Sequence, residues 1–263
     1  MNLKTLINKS YYGSIGYIED NTSIDLLGSY LLHNKPVLDE FKGHIFAFTH
    51  KELDWSYLKT VIQGLYPNAI ILLLGKNRGH NFGTADLDNF IFDYCKENNI
   101  EWLCKSANDV ILTEDVLSVE TDEADFYYLN GISFEDLNNF KFDYKEVLDK
   151  HFYPQTNFYF INVFKTDYLN NKEYIDSTYN QSLEIPNYNG KIWEYIPGWS
   201  CENFLKQSVI RNCLSKRYLL NSETHNKLCE TIKLYQIGDP SHKNIMINGI
   251  CHYQYADKQI III

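Results

Sequence analysis

An α/β fold, with a mostly parallel sheet covered by helices on both faces, is predicted by three neighbouring stretches of this chain. HIFAFTH (44–50) is a short apolar run, DWSYLKTVIQGLY (54–66) carries apolar residues at helical spacing, and AIILLLG (69–75) is apolar throughout. Strand, helix and strand within about thirty residues make a right-handed βαβ unit. A run as uniformly apolar as 69–75 suits the middle of a parallel sheet, where neither face meets water.

Taken in order, residues 1 to 43 read as a polar lead-in followed by an amphipathic segment, SIDLLGSYLLHN, with Ser23 as its helix cap. HIFAFTH then stops abruptly on Thr49-His50. In the next segment Trp55, Leu58, Val61, Ile62 and Leu65 fall on one helical face, and Pro67-Asn68 ends it. The stretch GKNRGHNFGTADLDNFIFDYCKENN opens as a Gly- and Asn-rich loop and takes a helical period from Asp86 on. EWLCKSA leads as a strand to a turn at Asn108-Asp109, and Thr113-Glu114-Asp115 reads as a helix start. Past residue 124, DFYYLNGI (125–132) and FYFINVF (158–164) read as strands of an α+β extension on the same sheet. With no Ser/Gly/Pro linker and no internal repeat, 1–263 is expected to form one domain. It divides into an extension (1–43), a first half (44–120) and a second half (121–263).

Composition narrows the classes of function. The chain is 44% apolar and 15% aromatic, too apolar for a disordered protein. Its 21 tyrosines offer flat amphipathic surfaces suited to sugars, and they equally fill half-buried strands. A formal charge of −10 argues against a nucleic-acid or anionic-membrane binder. It leaves room for a phosphorylated ligand, because a bound divalent cation reverses the local sign. Six scattered cysteines without a C-x-x-C pair point to reduced, buried thiols, not to zinc or a disulfide framework. No signal-peptide core and no 18-residue apolar run is present, so a cytoplasmic protein without an integral membrane segment is expected.

The predicted topology gathers three loops at the C-terminal ends of neighbouring strands, where open α/β sheets bind ligands. In NRGHNFGTADLDN (77–89), Gly79 and Gly83 free the backbone for close approach, while Arg78 and His80 supply donors. The following helix presents its N-terminal amides to an anion. The stretch lacks both the Walker ending and the dinucleotide fingerprint. Asn108-Asp109 reads either as a turn former, bonding its own backbone, or as an anchor for a metal ion and a phosphate. Downstream, PGWSCENFLKQSVIRN (197–212) opens a helix in which Ser200 can cap and Glu202 favour the N-terminus. His242 and Lys243 lie in the turn DPSHKN, and His252 in the strand-like ICHYQY.

In combination these features resemble GT-A-type glycosyltransferases, nearest to glycosyltransferase family 2, over roughly residues 44 to 120. The resemblance rests on a strand ending in a polar pair, an apolar strand, an Asn-x-Gly loop feeding a helix, and a strand ending in an acidic turn. It implies a GT-A-like, Rossmann-like sheet with an acceptor-side extension. The partners it implies are a nucleoside-diphosphate sugar as donor and a carbohydrate or other hydroxyl acceptor. Asn108-Asp109 occupies the place of the family's Asp-x-Asp motif, so Asp109 would hold Mn²⁺ or Mg²⁺ on the diphosphate, with His252 as a further ligand. Thr49 and His50 would approach the nucleoside, and Asn77, Arg78, Gly79 and Gly83 the ribose or phosphates. Asn108 and Lys243 complete the donor-binding set. The segment around Glu202 resembles the family's Gly-x-Gly-x-Glu-Asp element, which makes Glu202 the general base and the reaction inverting. Three features depart from the pattern. Ala107 and Asn108 precede Asp109, so the first carboxylate is missing; Asn203 stands for the usual Asp; and the base-binding Asp has no counterpart. A retaining enzyme of the same fold, a nucleotidyltransferase of similar fold and a non-catalytic nucleotide- or carbohydrate-binding relative remain as alternatives.

Overall fold

Side chains alternate along two neighbouring strands so that both faces of each are buried. Tyr12, Ile18, Phe46 and Phe48 pack into one core, while Ile15, Ile45 and Ala47 pack into another on the opposite side. Strands of this kind need helices above and below, and the chain supplies both layers. The structure is a computed structural model describing residues 2–50, 55–121, 123–130, 154–184, 201–202, 204–205, 217–219, 234–235, 244–247 and 250–252.

Helices α1 (Leu3–Ile7), α2 (Asn21–His33), α3 (Lys35–Leu38) and α4 (Trp55–Leu65) send Leu6, Ile24, Leu27, Val37, Leu58 and Ile62 into the first core. Helix α5 (His80–Glu97) covers the other face with Leu87, Ile91, Phe92 and Cys95. Helix α6 (Lys172–Leu183) packs on α5, where Ile175 meets Phe82 and Ala85. The strands in chain order are β1 (Tyr11–Ile18), β2 (Gly43–His50), β3 (Ile70–Leu73), β4 (Trp102–Ala107), β5 (Val110–Leu112) and β6 (Phe126–Asn130). They continue with β7 (Pro154–Asn162), β8 (Arg217–Leu219), β9 (Leu234–Tyr235), β10 (Asn244–Ile247) and β11 (Ile250–His252).

Among the described residues the central sheet has seven strands in the order β3-β2-β1-β4-β7-β6-β8. From β3 to β4 the pairing is parallel; β7 runs antiparallel to β4 and β6, and β8 is parallel to β6. A second, antiparallel sheet has the order β5-β11-β10-β9. The predicted fold class is therefore present: a mostly parallel sheet flanked by helices. The stretches 44–50, 69–75 and the strand before Asn108 share one sheet, as expected, but 69–75 does not lie in its middle: β3 is the edge strand among the described residues, and its four residues are half-buried. No helix among the described residues is long and apolar enough to cross a membrane.

Three further local expectations are corrected. The polar lead-in contains β1, which lies between β2 and β4 at the heart of the sheet. Its glycines hide it from an apolar-run reading, yet they are what the packing demands. A Cβ on Gly13 would stand 2.7 Å from Leu103 Cδ1, and one on Gly16 2.6 Å from Asn108 Nδ2. Helix α2 is capped by Asp20, whose Oδ1 accepts from the Ser23 amide at 2.9 Å, and not by Ser23. Helix α5 begins at His80 instead of Asp86, so Gly83 is helical and not part of a loop. Gly79, at φ +86°, makes this early start possible.

Candidate functional site

Strands β1, β2 and β4 end together, and their C-terminal edge carries the candidate site. Thr49 on β2 is buried and sits in register with Tyr17 of β1; His50 lies level with Ile18. The Tyr17 ring is 41% exposed, unusual for so large an apolar surface beside a sheet edge. Strand β4 turns at Asn108-Asp109, where the Asn108 amide donates to the Ile15 carbonyl at 3.2 Å. This bond ties the turn to β1, and Gly16 leaves the room into which the Asn108 side chain fits. A cavity of about 50 Å³ opens here, lined by Tyr17, by Ser23, Leu26, Leu27 and Tyr30 of α2, and by Asn108 and Asp109.

The chain after the turn is held by a side chain acting as a strand. Asn34, buried at the end of α2, donates from Nδ2 to the Val110 carbonyl at 2.7 Å and accepts the Leu112 amide at 2.9 Å. One amide thus satisfies the edge of β5 that no strand among the described residues covers. On its other edge β5 pairs with β11, which sets His252 level with Val110, one residue from Asp109. Two candidate metal ligands far apart in sequence therefore stand one backbone position apart across the ladder. Among the described residues no group of three or more His, Cys, Asp and Glu side chains gathers as a metal cluster. Lys243 lies outside the described residues.

The Asn77–Gly83 stretch forms the entry to α5. Asn77 Oδ1 accepts the Gly79 amide at 2.9 Å, and the Gly83 amide donates to the Gly79 carbonyl at 2.7 Å. Arg78 is committed to protein partners: its Nε and Nη2 meet Asp86 at 2.8 and 2.7 Å, and its Nη1 meets Asp176 at 2.6 Å. That bidentate pair braces α5, and the third contact ties it to α6.

Glu202 reaches the same region from the far part of the chain. Residues 201–202 and 204–205 are helical. Asn81 on the first turn of α5 accepts the Cys201 amide at 3.3 Å, and Phe204 packs against Phe82 at 5.7 Å between ring centroids. The structure thus brings Glu202 beside the start of α5. The Thr156 hydroxyl donates to Glu202 Oε1 at 3.1 Å. Thr156 lies two residues past Phe158, which is opposite Ser106, so it stands at the edge where β4 turns.

Beneath Glu202 lies a buried polar cluster absent from the sequence-based candidates. Lys105 and Asp88 are each 1% exposed, with Nζ and Oδ1 3.4 Å apart. Lys105 Nζ also donates to the Thr156 carbonyl. Burial lifts the Asp88 carboxyl to about 6, against the opposing pull of Lys105 and the Tyr159 hydroxyl. Burial pushes the Tyr159 phenol and the Cys201 thiol well up, so both stay protonated. Cys95, Cys104 and Cys201 are free buried thiols, as their scatter in the sequence implies. A lysine inside a strand that otherwise reads WLC-SA was the available signal, since charge at a doubly covered strand needs a buried partner. Gly16, Tyr17 and Asn34 gave no comparable signal.

No family model and no curated protein matches the chain. Among solved structures, the apo WbbM bifunctional glycosyltransferase is 14% identical with a TM-score of 0.42, covering 82% of this chain and 39% of that one. The chain thus spans well under half the length of that protein. The galactosyltransferase LgtC, solved with donor and acceptor sugar analogues, is 11% identical with a TM-score of 0.45, covering 92% of this chain and 86% of its own. An active-site variant of LgtC is 10% identical at the same TM-score and coverage.

Proposed function

We propose that this chain transfers a sugar from a nucleoside-diphosphate donor to a hydroxyl acceptor, with inversion at the anomeric carbon. One observation carries the reading: a single sheet edge gathers the Asp109 turn, Thr49 of β2 and, through Thr156, Glu202. An acidic turn and a separate carboxylate at one edge supply the two opposite needs of glycosyl transfer, leaving-group stabilisation and proton removal. The sequence resemblance assigns the same two residues to the same two tasks.

In this reaction the acceptor oxygen bonds to the anomeric carbon as the bond to the diphosphate breaks, and the hydroxyl proton passes to Glu202. Thr156 orients the Glu202 carboxylate through the bond to Oε1. Asp109, with His252 one residue removed across β5 and β11 as a further ligand, would hold Mn²⁺ or Mg²⁺; the carboxylate oxygens are the donors that suit those ions. When bound, the ion neutralises charge on the departing diphosphate. Tyr17, which lines the cavity and is exposed, would face the nucleoside, while Thr49 is buried and serves only from behind the sheet edge. Arg78 serves this site by fixing the entry to α5.

Titration calorimetry of nucleoside diphosphates with and without Mn²⁺, followed by a donor-hydrolysis screen, tests the reading. Asp109→Ala is expected to remove the metal-dependent part of nucleotide binding while the unfolding transition stays cooperative. Glu202→Gln should bind donor as wild type does and turn it over roughly 10²–10⁴-fold more slowly, the usual contribution of a positioned base. Unaltered nucleotide binding by Asp109→Ala would reduce Asp109 to a turn former. Donor binding without turnover in wild type would favour a binding protein, a reading to which the missing first carboxylate at Ala107 lends weight.

A further inference from the structure

The Lys105–Asp88 pair is a costly polar feature, with each side chain only 1% exposed. Two ions taken out of water lose several kcal/mol of hydration each, and a pair of this kind is weak evidence for added stability. Its contacts run instead toward Glu202. Lys105 Nζ donates to the carbonyl of Thr156, and the hydroxyl of the same residue donates to Glu202 Oε1. Asp88, at 3.4 Å from Lys105, fixes the ammonium from the helix side. Tyr159 lies over the pair, its ring centroid 5.7 Å from Lys105 Nζ.

We infer that Lys105 and Asp88 are positioning residues for Glu202, acting through Thr156. Lys105 grips the β7 backbone at Thr156 beyond the last β4–β7 pair, and level with the irregular stretch of the β6–β7 ladder between Tyr159 and Pro154. The Thr156 hydroxyl then has one place to stand, and so does the carboxylate it holds. Asp88 belongs to α5, the same helix whose Asn81 receives the Cys201 amide. The pair therefore couples α5, β4, β7 and the segment carrying Glu202. The inference rests on the reading of Glu202 as base only for its catalytic consequence; the coupling is a property of the fold.

The test is a cycle of Thr156→Val and Glu202→Ala, singly and together, followed by urea unfolding. It is run in wild type and in Lys105→Met/Asp88→Leu, where no lone charge is left buried. Effects are expected to be non-additive in wild type and additive in the apolar background. Equal coupling in both backgrounds, or none in wild type, overturns the inference. Lys105→Met/Asp88→Asn serves as the background if the first double variant does not fold. The kinetic arm uses whichever of UDP-, GDP- and dTDP-sugars is hydrolysed fastest. Thr156→Val should lower kcat by about 10²-fold with KM for that donor unchanged, the cost of a small misplacement, and Thr156→Ser should restore it. A raised KM with kcat kept overturns the positioning role. If Glu202→Gln turns over normally while the unfolding cycle behaves as expected, the base reading fails and the coupling stands. If Glu202→Gln is slow and the cycle is additive throughout, the base stands and the coupling fails.

Discussion

Asp88 keeps a carboxyl in the interior with its proton affinity raised to about 6 by burial, and that has a direct consequence for stability. In the unfolded chain the same group titrates near its ordinary value of 3.8. Between these two points the native state holds a proton that the unfolded state has lost, so acidification stabilises the fold through this residue. Its favourable contribution is complete below the unfolded value and disappears as pH rises through about 6. A shift of this size corresponds to roughly 2–3 kcal/mol. Urea unfolding of wild type and Asp88→Asn from pH 7.5 to 4 should show the wild-type stability rising relative to the variant as the pH falls. A constant difference would mean that Asp88 titrates alike in both states. Gly16 makes the complementary point at the same scale, because its missing side chain is the space that the Asn108 amide occupies.

At the scale of elements, β5 is the least self-sufficient piece of the site. It has three residues, directly follows the Asp109 turn, and among the described residues is hydrogen-bonded to a strand only along its β11 edge. Asn34 supplies the missing partner through bonds of 2.7 and 2.9 Å. Asn34→Ala would strand the Val110 carbonyl and the Leu112 amide without it. Each buried group left unsatisfied costs about 1–3 kcal/mol, so a loss of about 2–6 kcal/mol is expected by thermal or urea unfolding. Nucleotide affinity should fall with it, because the turn that carries Asp109 loses its floor. The α5 entry was legible in part. Asn77, Gly79 and Gly83 marked a special backbone, but the turn bonds to Gly79 pull the helix start forward by six residues, from the expected Asp86 to His80.

At the scale of the whole molecule, the first eighteen residues complete the sheet. Strand β1 pairs in parallel with β2 on one side and β4 on the other, and Leu3, Leu6 and Ile7 of α1 add fully buried side chains. Deleting residues 1–18 should abolish cooperative thermal unfolding and the near-ultraviolet signal of the packed tyrosines; a cooperative transition in the truncated chain would show that β1 is dispensable. The sequence by itself determined the parts whose environment is uniform. Residues 44–50 had to be a covered strand, 54–66 a one-faced helix, and Asn108-Asp109 a strand-edge turn, whereas the position of 69–75 at the edge of the sheet, half-buried, was not determined by its apolar run. It also marked Glu202, although the helix-end and base readings of that residue were equally open to it. Tertiary structure alone decided what depends on neighbours distant in the chain. It put a Gly- and Ser-bearing strand at the centre, because Leu103, Ile91 and Asn108 fill the space its side chains leave. It set His252 level with Val110 across a ladder joining residues more than a hundred apart. It also linked Lys105 to Asp88 and Thr156 beneath Glu202. Periodicity records only which face of an element is apolar, whereas register and buried charge pairing are fixed when two remote elements exclude the water between them.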